Sequence, residues 1–288
     1  MLTKRNAHKA KITSLVLSTP GLRSAAVFAI RTRTAIVFAS LYSARMFSWL
    51  LRSREHTNIT FDLTDNNRLQ MAAFVSHISG KSFDDVIKYF SELEGDQRLN
   101  KHIKQCIEKN RLRFKMDDQV RWGKRLGWYA FVRAVKPNVV VETGVDKGLG
   151  ALAITAALRR NALEGRPGQY YGTDINPSAG ALFGAPYNVH GEILFGDSIV
   201  SLKKLTQPID LFINDSDHSA EYEEAEYEVI ADKLSDHGII LGDNCHVTDR
   251  LLMFSMRHGR GFLFFAERPK DHWYPGGGIG ASFNWKAS

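Results

Sequence analysis

The sequence predicts an α/β protein, a mostly parallel sheet covered by helices on both faces, with a helical extension on its N-terminal side. Three observations predict it. Short apolar runs alternate with helical patterns from residue 139 onward. Those runs are continuously apolar, as strands buried on both faces must be. Ahead of them, residues 66–110 carry helical periodicity instead.

The elements follow in order. Residues 1–54 form a basic, apolar arm with ten Lys or Arg and no Asp or Glu, followed by a loop at 55–65. SFDD at 82–85 reads as a helix start, with Ser82 as the cap, and Gly95-Asp96 breaks the run before a last helical stretch. A small helical subdomain over 55–116 is expected. A helix holding Trp122, Leu126, Trp128, Tyr129 and Phe131 should end at Lys136-Pro137, because proline cannot continue it. Seven strands then read as VVVE (139–142), QYYGTD (169–174), EILFGD (192–197), IDLFIND (209–215), GIILGD (238–243), GFLFFAE (261–267) and IGASF (279–283). Helices fit at 149–160, 177–184, 198–205, 221–234 and 248–258, the second crowded by Pro177, Gly180, Gly184 and Pro186.

Charge and cysteine content narrow the function. The net charge of +7 belongs to the arm, since the remaining residues carry 28 basic against 31 acidic groups. A body that is net acidic argues against a nucleic-acid partner. Cys106 and Cys245 lie far apart and in no metal-type spacing. That excludes a disulfide framework and a zinc cluster and fits a reducing, cytoplasmic compartment. No stretch of 18 residues in the arm is free of Arg, which disfavours a spanning helix. Three readings of the arm stand: a basic amphipathic helix lying on a membrane surface through residues 12–54, a packing or homo-oligomerisation arm, and an organellar targeting segment.

In an open α/β sheet, ligands sit outside the carboxyl ends of the strands. Here five of those ends finish in an acid: Glu142, Asp174, Asp197, Asp215 and Asp243, the last followed by Asn244. Each alone reads as a helix cap, but five in register point to a site. The turn after the first strand carries Gly144, Gly148 and Gly150, in a spacing that is neither the dinucleotide fingerprint nor a phosphate-cradling loop.

E-T-G-x-x-x-G at 142–148, an acid after strand two and G-D-S at 196–198 resemble the class I S-adenosylmethionine-dependent methyltransferases. The resemblance covers roughly residues 117–285. It implies a Rossmann-like, doubly wound, seven-stranded sheet whose last strand is antiparallel. It also implies S-adenosyl-L-methionine as cofactor, with Glu142 and Gly144 by its methionine part, Gly148 among the residues that bind it, Asp174 on the ribose hydroxyls, and Asp197 with Ser198 near the adenine.

Neighbouring strand ends lie about 4.8 Å apart. Asp215 and Asp243 can thus reach one cation with Asn244 as a third oxygen ligand, a hard donor set that suits Mg²⁺. The trio resembles the metal-dependent O-methyltransferases of the catechol, caffeoyl-coenzyme A and sugar-modifying types. This implies methylation of a hydroxyl on a small molecule, sugar or glycolipid. The catalytic base is open between His218, where the catechol and caffeoyl types carry a Lys, and Asp217, where some sugar-modifying types place an Asp base. His272, Trp273 and Tyr274, beside a Gly-rich link, are candidates for lining an acceptor pocket. The rival readings are a metal-independent N- or C-methyltransferase and a non-catalytic scaffold that keeps the fold.

Overall fold

Val139–Thr143 forms the central strand β1, and its side chains divide the core. Val140 packs to one face of the sheet with Leu211, Ile213 and Leu241, while Val139 and Val141 pack to the other with Ile209, Phe212 and Ile240. Alternation of two apolar faces is what a sheet sandwiched between helices requires. The computed structural model describes residues 18–111 and 113–284, so the arm's Lys4, Arg5, Lys9, Lys11 and residues 12–17 lie outside the described residues.

The described chain divides into two compact units. One holds helix α1, Pro20–Arg52, and the segment Asp271–Trp273. No residue of α1 is buried. By length and composition it can cross a membrane, with a window of mean hydropathy 1.3. Within this unit Arg45 pairs with Asp271 at 3.6 Å, and Trp49 packs edge-on against Trp273 and His272.

The other unit begins with α2 (Asp65–Ser79), α3 (Phe83–Glu94) and α4 (Gln97–Lys109), each started by a side-chain cap from Thr64, Ser82 and Asp96 respectively. Met71, Val75, Phe90, Leu93, Leu99 and Ile103 from these helices join the core that lies on the Val140 face. Helix α5 (Arg125–Val135) packs there too. The helix expected to include Trp122 starts only at Arg125, because Gly123 turns the chain with φ +46°.

The α/β layers follow as α6 (Leu149–Leu163), β2 (Gln169–Asp174), β3 (Gly191–Phe195), α7 (Ser198–Lys204), β4 (Ile209–Asn214), α8 (Ala220–Ile230), β5 (Leu234–Asp243), α9 (Arg250–Arg257), β6 (Gly261–Ala266) and β7 (Gly278–Phe283). The sheet order is β3-β2-β1-β4-β5-β7-β6. β7 runs antiparallel to both β5 and β6, as expected of the last strand. The helix expected over 177–184 is absent: turns occupy the segment, and a 3-10 turn follows at Tyr187–His190. Pro177 and Gly180, the latter at φ +77°, favour turns over a helix there.

Candidate active site

β1 pairs with β4 so that Thr143 faces Asn214, and β4 pairs with β5 so that Asn214 faces Gly242. This register brings the ends of the three strands together and sets Asp215 beside Asp243. A single cavity of about 740 Å³ opens over these ends. It is lined by Glu142, Gly144, Asp174, Asp197, Ser198, Asp215, Asp217, His218, Asp243 and Asn244, so ten of the eleven residues expected at the site meet there. Gly148 does not line it. At φ +91° it caps α6 and abuts Gly180 and Phe183.

On one side of the cavity, Glu142 is buried and accepts a hydrogen bond from the Tyr170 hydroxyl. Burial pushes its carboxyl up to about 7. Gly150 lies directly against Glu142, and a Cβ there would overlap the carboxylate. Asp174 is oriented by two backbone donors, Asp146 N and Asn176 N, each at 2.8 Å. An ionised carboxylate has about four acceptor sites, so two bonds leave room for a ligand diol. Asp197 caps α7 by accepting from Val200 N at 3.0 Å. The Ser198 hydroxyl is committed to Glu226 and to the Tyr222 hydroxyl, 2.9 Å away.

On the other side stands His218. Asn244 Nδ2 lies 3.2 Å from its Nε2, a donor that leaves this nitrogen the acceptor. Its Nδ1 lies 3.5 Å from the buried carboxylate of Glu223. The carboxylate so placed favours the tautomer with the proton on Nδ1. Asp217 accepts from Ser219 N at 3.0 Å, a turn just ahead of α8. Tyr274 lines the cavity, and His272 and Trp273 belong to the other unit.

Sequence reasoning missed Lys124, Glu223 and Glu226. Glu226 accepts from Thr143, Ser198, Asn214 and Ser216, tying β1, β4 and α7 together beneath the cavity. Glu223, Glu226, Tyr227 and Ile230 are all buried. Their spacing of three, four and seven is one helix face, a signal present in a stretch that otherwise reads as solvated charge.

The donor atoms of Asp215, His218 and Asp243 lie within 4.8 Å of one another, which is metal-site geometry. The Lys124 ammonium, however, stands among them. Its Nζ donates to both oxygens of Asp215 at 3.2 Å and contacts Asp243 Oδ2. The ammonium thus fills the space between the two carboxylates that a shared cation would occupy. A divalent ion about 3.5 Å from an ammonium would meet repulsion on the order of 10 kcal/mol at an effective dielectric near 20. With Lys124 in place, the residues do not fit the Mg²⁺ expected from the sequence.

Comparisons with known proteins agree with this fold. Residues 141–245 match a family described as a methyltransferase domain. No curated protein sequence matches. The O-methyltransferase TomG from Streptomyces achromogenes, solved in complex with SAM, is 16% identical over 69% of this chain and 95% of its own, at a TM-score of 0.51. The methyltransferase PaMTH1 of Podospora anserina is 20% identical, over 71% of this chain and 95% of its own, at 0.47. An O-methyltransferase from Bacillus cereus is 13% identical, over 64% and 91%, at 0.48. Residues 141–245 thus match a methyltransferase domain, and the seven-stranded sheet has the fold of the solved methyltransferase TomG.

Proposed function

We propose that the protein is an O-methyltransferase acting on a hydroxyl of a small polar acceptor, such as a sugar or a glycolipid headgroup. The observation that carries this reading is one shared cavity with the Asp174 carboxylate on one side and the His218 imidazole on the other. Asp174 would hold the ribose hydroxyls of the cofactor, and Glu142 and Gly144 would lie by its methionine part. Asp197 would lie at the adenine end. The bound cofactor supplies an electrophilic methyl on a sulfonium.

His218 takes the acceptor's proton at Nε2. The acceptor hydroxyl replaces the Asn244 amide on that nitrogen, and Glu223 stabilises the imidazolium through Nδ1. A positioned imidazole with one unprotonated nitrogen suits general-base work. Gly144, Lys124 and the strand ends fix the floor on which the acceptor rests. Magnesium has no part in this reading, because the Lys124 ammonium stands where it would bind. The metal-independent rival, methyl transfer to N or C, gains from the same fact.

Thermal unfolding with and without S-adenosylhomocysteine tests the cofactor. At a hundred times its Kd the ligand should stabilise by about 2.7 kcal/mol. Release of S-adenosylhomocysteine with hydroxylated acceptors and their amine counterparts then tests the reaction. No thermal shift at saturation, or turnover with amines alone, would overturn the reading.

A further inference from the structure

Lys124 lies 91 residues from Asp215 in sequence and yet meets it in the middle of the cavity. It precedes α5 directly, in the Ncap position, and makes no cap bond itself. Its stem runs over the Trp128 ring, with Nζ 5.1 Å from the ring centre. Trp128 is fully buried and also packs against Gly150. The side chain is 15% exposed, so the ammonium is held rather than waving in solvent. Burial alone would pull its pKa down, but Asp215 and Asp243 outweigh that and hold it above its ordinary value.

Two carboxylates at adjoining strand ends need a cation. Asp243 is 3% exposed and Asp215 18%, so water cannot serve both. Arg125 and Lys124 are the neighbouring cations, and Lys124 touches both carboxylates. Its three N–H donors match the three oxygens it meets. Breaking a buried ion pair by removing one partner leaves an uncompensated charge, which is strongly destabilising.

We propose that Lys124 is the resident cation of this site: its ammonium takes, from within the chain, the place between Asp215 and Asp243 that a divalent ion would fill, so the protein neither binds nor needs that ion. Lys124 is in this sense a positioning residue. It holds the two strand ends together beneath the acceptor and makes no bond to the reacting atoms. The role beneath an acceptor rests on the O-methyltransferase reading, but the assignment of the cation does not.

The test uses the full chain and needs neither cofactor nor acceptor, so it can fail independently of that reading. Mn²⁺, followed by its electron paramagnetic resonance signal, is titrated into the wild-type protein. Free Mn²⁺ should persist through the micromolar range. Lys124→Met, which keeps the stem and removes the charge, should lower the melting temperature, and adding Asp215→Asn to it should recover part of the loss. Wild-type binding of Mn²⁺ at micromolar concentration would overturn the proposal. So would a Lys124→Met protein that melts with the wild type. If Lys124→Met does not fold, the wild-type titration decides alone, with persistence of free Mn²⁺ supporting the assignment.

Discussion

Gly144 and Asp215 cross so closely that a Cβ on Gly144 would overlap the carbonyl oxygen of Asp215. The crossing is stitched by Asp215 N donating to Thr143 O at 2.9 Å and by Gly144 N donating to Thr173 O at 2.9 Å. Gly144 also holds φ at +85°, where a side chain is strained. The turn after β1 and the turn after β4 are thereby one structure, and the two sides of the cavity cannot move apart independently. Gly144→Ala should cost about 2–4 kcal/mol of stability, since it adds both overlap and backbone strain. Urea unfolding checks this. A variant within about 0.5 kcal/mol of wild type would mean the crossing relaxes freely.

Much of the fold was legible before the coordinates, and the reason is local. The seven apolar runs and the proline after α5 are short-range signals. The pairing of Asp215 with Asp243 was also legible, because consecutive parallel strands are usually neighbours. Lys124 was not, since its partners lie 91 and 119 residues away and nothing in WGKRLGW marks a lysine that turns inward. The turns at 177–184 failed for a different reason. Gly180 and Pro177 signalled a break, but the alternation of elements argued for a helix, and the backbone chemistry won.

His218 and Asp217 are separable by experiment. His218 lines the cavity with Nε2 beside Asn244 and Nδ1 3.5 Å from Glu223, whereas Asp217 is exposed and accepts from Ser219 N. His218→Ala should lower turnover by roughly 10²–10⁴-fold, the usual worth of a positioned base. It should leave the thermal shift with S-adenosylhomocysteine intact. Asp217→Asn, which preserves the accepting oxygen, should keep most of the activity. Turnover that falls with Asp217→Asn and survives His218→Ala would reverse the assignment.

Three buried glutamates set a pH dependence. Burial pushes Glu226 up to about 7, against donors on Ser198, Ser216 and Thr143 that pull it down. Glu142 and Glu267 are likewise raised to about 7, chiefly by burial. The folded protein thus keeps protons that the unfolded chain releases near 4.5. Each rise in pH between those values favours unfolding, so stability should fall from pH 5 to pH 8. One such shift is worth on the order of 3 kcal/mol. Glu226→Gln should make the slope shallower, read as the difference in urea unfolding free energy at the two pH values. Parallel slopes for variant and wild type would mean that Glu226 is ionised throughout.

Helix α1 makes the last prediction. At 100° per residue, Arg23, Arg31, Arg45 and Arg52 fall within an arc of about 80°, with Arg33 apart. Phe28, Ile36, Met46, Phe47 and Leu50 lie on the opposite side, while Val27, Phe38 and Leu41 share the arginine arc, and each is exposed. An acid-free helix with a stripe of arginine and an apolar face suits an anionic lipid surface, where phenylalanine and leucine bury and arginine stays at the headgroups. The full chain should therefore float with phosphatidylserine-containing vesicles and far less with neutral ones. Each Arg near such a surface contributes about 1 kcal/mol. Arg23→Glu with Arg31→Glu should then weaken binding by at least roughly thirtyfold. Equal flotation of wild type and variant on neutral vesicles would point to a helix that spans the bilayer, since insertion depends on the apolar length and hardly on lipid charge. Failure to float on either would leave α1 without a lipid partner.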